Sequence, residues 1–251
     1  MMIFNVISKV LPPSLRRWLK EKRRGLSLRP PLGWVRFGSL RRLKPVSRSF
    51  GFDRGIPVDR YYIERFLAAR AGDIRGRVLE IADNAYTKRF GGSHVSRSDV
   101  LHAGEGNPQA TINSDLTDED LPFADTFDCI ICTQTLQFIY NKQAAIKNLY
   151  RLLKPGGTLL ATLPGISQIS RYDMERWGDY WRFTTLSVRR LCEEHFSPDD
   201  IEVQAHGNVL ASLAFLEGLA AGELKKQELD YNDPDYQLLI TLRATKPKAK
   251  D

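Results

Sequence analysis

Disulfide chemistry has little to work with in this chain. Its 251 residues include three cysteines, Cys129, Cys132 and Cys192, too few for the framework that staples small secreted domains, and this points to a reducing, cytoplasmic setting. Cys129 and Cys132 form a C-x-x-C, but within Phe127–Thr133, which reads as a buried strand. Residues three apart on a strand face opposite sides, so the pair cannot share one ion, and no metal is expected. Long apolar runs are missing too. The apolar residues of Met1–Leu11 are broken by Asn5, Ser8 and Lys9 and stopped by Pro12-Pro13, short of the ~20 residues a crossing helix needs. No positive charge precedes them and no small-residue cleavage site follows, which fits a secretory signal poorly. H-E-x-x-H, G-x-S-x-G and a P-loop are all absent, so metalloprotease, α/β-hydrolase and nucleotidase readings have no support. No internal repeat is visible.

What is present divides unevenly along the chain. Residues 1–60 hold fifteen Lys/Arg against three Asp/Glu, while the whole chain has 37 against 30; the remainder is therefore 22 against 27. The expected organisation is a basic N-terminal arm, residues 1–50, followed by one mildly acidic domain, residues 51–251. In the arm, Ser14 can cap a short helix with Leu15, Trp18 and Leu19 on one stripe and Arg16, Arg17, Lys20, Arg23 and Arg24 around it. Such a segment either lies on an anionic membrane surface, making the protein peripheral to the membrane's inner face, or stays solvated. No nucleic-acid recognition motif accompanies the charge.

Beyond Pro57 a helix is expected, with Tyr62, Phe66 and Leu67 on its apolar side. Strands are expected at Arg77–Ala82, Asp99–Ala103, Ala110–Asn113 and Phe127–Thr133. A helix over Gln143–Leu153 stops at Lys154-Pro155-Gly156-Gly157, and a fifth strand runs over Thr158–Leu163. A helix from Thr184/Thr185 to about Phe196, a strand at Ile201–Ala205, an apolar helix at Val209–Ala221 and a strand at Tyr236–Ala244 complete the pattern. The apolar helix is expected to pack on the sheet or at a dimer contact. Seven strands alternating with helices predict an α/β fold with a doubly wound, mostly parallel sheet.

Several segments resemble class I S-adenosylmethionine-dependent methyltransferases. They are Val78-Leu79-Glu80-Ile81-Ala82-Asp83, Ser114-Asp115-Leu116, Phe127–Phe138 and Leu149–Gly157. The resemblance implies the Rossmann-like methyltransferase fold and S-adenosyl-L-methionine as cofactor. Carried onto these segments, it gives Glu80, Ala82, Asp83 and Tyr86 after the first strand, His102 after the second, Asp115 and Leu116 after the third, and Thr133 and Gln134 after the fourth. Ligands sit beyond the carboxyl ends of strands in such sheets. The family has glycines where this chain has Ala82, Asn84 and Tyr86. Either the loop takes another path with Tyr86 as a wall of the site, or cofactor binding is lost. At the end of the second strand His102 stands where an acidic residue is usual, with Glu105 three residues on.

The segment Tyr172–Thr184 is dense in polar and aromatic residues and comes after the fifth strand, where this fold places its acceptor loop. Tyr172, Arg176, Trp177, Tyr180, Trp181 and Arg182 are candidates to bind the acceptor, with Trp177 and Trp181 on one face of a helical turn. The other reading is an aromatic latch, with Arg182 paired to a carboxylate. Asp179, Asp173 and His206 are candidate general bases for a hydroxyl acceptor. Arg54, Arg60 and Tyr61 either close over the cofactor or, for the arginines, pair with Asp53 and Asp59. Phe37–Leu67, Tyr86–Gly92 and Tyr172–Thr184 together resemble a methyltransferase subgroup found with bacterial glycan biosynthesis, which implies a small-molecule or glycan acceptor. The competing expectation is a non-catalytic scaffold of the same fold, docking on a membrane or protein partner through its arm. A nicotinamide-binding enzyme is a third reading, disfavoured by the missing glycines and the Lys-Pro-Gly-Gly turn.

Overall fold

The computed structural model of the protein describes Pro12 and residues 29–248. The chain separates into two units, Met1–Lys44 and Pro45–Asp251. In the first, a single 3-10 turn at Gly38–Leu40 is the regular structure among the described residues. The amphipathic helix expected from Ser14 lies outside them. The second unit begins at Pro45, ahead of the start expected at residue 51, because Ser47 and Phe50 are already packed into it.

That unit is built on a seven-stranded sheet with strands β1 (Gly76–Ile81), β2 (Val95–His102), β3 (Ile112–Asn113), β4 (Phe127–Thr133), β5 (Leu153–Pro164), β6 (Ile201–His206) and β7 (Leu239–Thr245). Their order is β3-β2-β1-β4-β5-β7-β6. The pairs from β3 to β5 are parallel, and β7 runs antiparallel to both β5 and β6. Helices α1 (Val58–Ala69), α5 (Val209–Leu216) and α6 (Lys226–Asp230) share a core with one face, through Ile63, Leu67, Phe215 and Leu229. Helices α2 (Lys142–Leu152) and α4 (Thr185–Glu193) cover the other, through Ile146, Leu149, Val188 and Leu191. A one-turn helix, α3 (Arg171–Met174), lies after β5. Cys129 packs with the first core and Cys132 with the second, both buried. They face opposite sides of β4, as the strand period requires.

The differences from the expected boundaries have local causes. β2 starts at Val95, ahead of the expected Asp99, because Ser96, Arg97 and Ser98 are polar and give no apolar run, yet Arg97 pairs with Arg77 of β1. β5 starts at Leu153, before the glycine turn. Its register jumps from Phe127↔Leu153 to Cys129↔Thr158, so Lys154–Gly157 is accommodated as a bulge, with Gly156 at φ 82°. β7 starts at Leu239, leaving Tyr236 and Gln237 outside it. The apolar helix expected to reach Ala221 ends at Leu216, because Gly218 turns left-handed at φ 70°. It is also half exposed, so packing on the sheet, one of the two expectations, accounts for only one of its faces.

Gly218 has a second duty. A Cβ there would stand 2.2 Å from the carbonyl oxygen of Ser47. Gly218→Ala is therefore expected to lose about 1–3 kcal/mol, from the left-handed backbone and the forced displacement of the entering chain. Denaturant unfolding of variant and parent measures this; an unchanged midpoint contradicts the packing described.

Candidate active site

The carboxyl ends of the parallel strands share one rim of the sheet. The segments leaving β1, β2, β4 and β5 enclose a cleft of about 1060 Å3 there, and Phe50, Phe52 and Arg60 reach it from the chain before and within α1. Glu80 lies at the inner end of the cleft and is 2% exposed. Its carboxyl accepts from the backbone N–H of Tyr86 at 3.2 Å, from that of Thr87 at 2.8 Å and from the Thr87 hydroxyl at 2.7 Å. Burial pushes the Glu80 carboxyl up to about 7, against the lowering effect of these donors.

The loop between Glu80 and Tyr86 does without glycine, at a cost in backbone strain. Ala82 adopts φ 74°, a left-handed conformation unfavourable for a residue with a Cβ. It is pinned there by its N–H, which donates to Leu101 O at 2.9 Å, and by its carbonyl, which accepts from Asn107 Nδ2 at 2.6 Å. Asp83 turns back to accept from Ala85 N–H. The chain then enters a π-helical turn over Thr87–Gly91. This carries the Tyr86 ring to the wall of the cleft, where its hydroxyl accepts from Arg60 Nη1 at 2.5 Å. The Arg60 guanidinium also lies over the Tyr86 and Phe52 rings, at 5.8 and 5.9 Å.

His102 contacts the cleft from the end of β2, with Nδ1 3.3 Å from Gly104 O. After β3, Asp115 takes the Thr117 N–H and hydroxyl on Oδ1, both at 2.7 Å. Its Oδ2 has no protein partner among the described residues. Leu116 is buried beneath it. Thr133 and Gln134 end β4, with Gln134 at φ 48°. Gln137, in the next turn, accepts on its carbonyl from the N–H groups of Tyr180 at 2.8 Å and Trp181 at 3.3 Å. The β4 exit thus anchors the segment after β5.

That segment divides between lining and latching. Tyr172, Asp173, Trp177, Asp179, Tyr180 and Arg182 line the cleft. Trp177 meets the His102 ring edge-on at 5.6 Å. Trp181 points away, donating from Nε1 to Ile139 O at 3.0 Å, stacked on Tyr140 and capped by Lys142 Nζ at 3.5 Å. The shared helical face expected for Trp177 and Trp181 does not form, because α3 ends at Met174 and the chain is irregular beyond it. Arg176 also stays outside, stacked on Tyr172 at 3.5 Å. Arg182 is paired through both terminal nitrogens with Asp179, at 2.6 and 3.0 Å. Asp179 also accepts from Ser170 N–H and its side chain is 1% exposed, so a substrate proton cannot reach it without breaking the pair. Of the three candidate bases, Asp179 is thus the one whose carboxylate is taken up in holding the loop.

Other expected residues sit elsewhere. His206 is not in the cleft. It stacks on Tyr62 at 5.7 Å, its Nε2 is 3.0 Å from Thr241 Oγ1, and burial lowers it to about 4. Arg54 and Tyr61 line a separate groove of about 590 Å3, where Arg54 pairs with Glu223 and the Tyr61 hydroxyl donates to Asp230. Asp53 accepts instead from the Ser47 hydroxyl. Of the three N-terminal candidates only Arg60 reaches the cleft. Residues with no sequence signal complete it: Arg48, Phe50, Gln168 and Phe215.

This arrangement agrees with what the chain resembles. Residues 71–161 match the methyltransferase domain family. That methyltransferase match covers β1 to β5 and stops before the segment that carries Tyr172–Arg182. A ubiquinone/menaquinone biosynthesis C-methyltransferase of Klebsiella pneumoniae is 37% identical over 89 residues, 28% of this chain and 36% of that protein. The protein of the same description from Haemophilus ducreyi is 54% identical over 43 residues, 17% of each chain. The matched stretch therefore spans between about a sixth and little more than a third of the length of these curated relatives. In structure, a protein assigned as a sarcosine dimethylglycine methyltransferase from Galdieria sulphuraria superposes with a TM-score of 0.50 at 15% identity, over 75% of this chain and 86% of that one. The fold is the Rossmann-like fold of methyltransferases.

Glu80 has a measurable signature. A carboxyl near 7 in the folded protein and about 4.3 in the unfolded chain binds more protons when folded. Its stabilising contribution is complete below about pH 4.3 and is lost as pH rises through 7. Glu80→Gln cannot ionise. The stability difference between variant and parent should move in the variant's favour by about 1–3 kcal/mol between pH 5 and 8. Denaturant titrations across that range test this, and a constant difference contradicts it.

Proposed function

We propose that the protein is an S-adenosylmethionine-dependent methyltransferase acting on a small-molecule acceptor. The observation that carries this reading is the open cleft at the strands' carboxyl ends, with Ala82 held left-handed at a position the resembled family gives to glycine. Its volume of about 1060 Å3 is at the upper end of the roughly 300–1,000 Å3 of small-molecule sites. Glu80, Asp83 and Asp115 line one half, and their carboxyl groups suit a cationic ligand. Asp115 Oδ2 would accept from an adenine amino group, Leu116 and Ile81 offer apolar contact, and His102 suits a ribose hydroxyl. Tyr86 lies along the wall against Arg60 and does not fill the cleft, as it would in the arrangement that favours a non-catalytic scaffold.

The bound cofactor supplies an electrophilic methyl group on a sulfonium. What remains for the protein is to align the acceptor, exclude water and, for a hydroxyl, take its proton. Tyr172, Trp177 and Tyr180 present rings to the other half of the cleft, with Arg48 and Arg171 among its lining. This wall suits a ring-bearing acceptor, a sugar or an aromatic nucleus, with polar or anionic substituents. Asp173 is the base we favour. It lines the cleft, and among the described residues only its Oδ2 is engaged, by the Ser170 hydroxyl at 2.5 Å.

S-adenosylhomocysteine at about 100 times its Kd should stabilise the protein by about 2.7 kcal/mol, or roughly 5–10 °C in Tm. Asp115→Ala should abolish most of that rise. No shift at saturating ligand rejects the cofactor assignment. Once a hydroxyl acceptor is found, Asp173→Asn should lower kcat by about a hundredfold and leave S-adenosylhomocysteine binding intact. A loss of that binding instead would make Asp173 a cofactor residue.

A further inference from the structure

Helix α5 has the sequence VLASLAFL and is apolar apart from Ser212. Its inner face, with Ala211, Ala214 and Phe215, is buried, and Phe215 meets Phe50 at 5.9 Å on the wall of the cleft. The outer face is uncovered: Val209 is 47% exposed, Leu210 45%, Leu213 47% and Leu216 38%. These positions fall at i, i+1, i+4 and i+7, one continuous stripe. Neighbouring apolar side chains exposed together mark an interaction surface, since scattered single residues would need no account.

The candidate occupants differ in what they require. A stable dimer covers about 800 Å2 on each partner. A helix of eight residues is about 12 Å long, and four side chains on it fall well short of that area. A lipid surface needs less apolar contact when a second, electrostatic signal is present. This chain carries one. Residues 1–44 hold twelve Lys/Arg and one acidic residue, Glu21, and each cation near an anionic leaflet adds about 1 kcal/mol. The chain also enters its folded body beside the stripe. Ser47 N–H donates to Glu217 O at 3.1 Å, one residue beyond Leu216, and the Ser47 carbonyl packs on Gly218. The basic segment is thus joined by a few residues of chain to the end of the apolar stripe.

We infer that the outer face of α5 docks on an anionic lipid surface, with Val209, Leu210, Leu213 and Leu216 entering the headgroup boundary and the basic segment supplying the long-range attraction. The inference does not depend on the cofactor assignment. It places the Phe50–Phe215 wall of the cleft next to the bilayer.

The test is sedimentation of the full chain with vesicles of phosphatidylcholine alone and of phosphatidylcholine with phosphatidylglycerol. The parent should bind the anionic vesicles, more weakly as salt rises. A Leu210→Ser/Leu213→Ser variant removes apolar area without adding charge, at exposed positions that leave Tm unchanged. It should bind about tenfold more weakly or worse. A parent that does not sediment, or a variant that binds as the parent does, overturns the inference. So does a change from dimer to monomer caused by the two substitutions, which would assign the stripe to a second copy of the chain.

Discussion

The candidate site depends on one buried carboxyl. Glu80 sits near the end of β1, an interior strand beside the central β4, and gathers the backbone of Tyr86 and Thr87 and the Thr87 hydroxyl onto its two oxygens. A buried carboxyl without donors would cost several kcal/mol, and backbone N–H groups at the start of a helical turn would lack partners. Each satisfies the other. The loop from Ile81 to Tyr86 is thereby closed at both ends, by the strand and by the helical turn, and its middle has to arch over the rim of the sheet. The cleft exists because this arch is held open.

Glycine is the usual solution for such an arch, since it accepts left-handed backbone and leaves no side chain in the ligand's path. This chain meets the two demands separately. The left-handed position falls to Ala82, the smallest side chain after glycine, and the strain is held by hydrogen bonds to Leu101 and Asn107. Clearance at Tyr86 comes from direction instead of size: the π-helical turn sets the ring along the cleft wall, and Arg60 holds it there. Strain of this kind persists only where the surroundings over-determine it, and Glu80 and Arg60 provide that constraint from opposite sides.

These details also explain what the sequence could and could not say. The sheet was legible because β1, β4 and most of β5 are buried on both faces and read as apolar runs, and because turn signals separate them. The family resemblance placed Glu80, Ala82, Asp83, Tyr86, His102, Asp115, Leu116, Thr133 and Gln134, and each of these lies on or under the cleft. The acceptor side was read less well. Trp177 and Trp181 diverge because α3 stops after one turn, and helix length in an irregular loop leaves no periodic trace. Asp179 and Arg182 neutralise each other across three residues, a pairing that sequence could pose but not decide against catalysis. Phe50 and Phe215 come from distant segments joined by a packing contact that no local pattern announces.

The same division runs through the cleft itself. Its acidic half, with Glu80, Asp83 and Asp115, is built from β1 to β4 and lies inside residues 71–161, the part that matches the methyltransferase domain family. Its aromatic half is built mainly from the segment after β5, the chain entering ahead of α1, and α5, all outside the matched residues, with Phe138 and Tyr140 added from within them. Gln137 ties the halves together, accepting from Tyr180 and Trp181 at the exit of β4. On the proposed function, an acceptor would meet mainly segments outside the matched residues, while the strand ends within them would hold the methyl donor. Helix α5 contributes Phe215 to that half with one face, and its other face, apolar and exposed, is the one we infer docks on lipid.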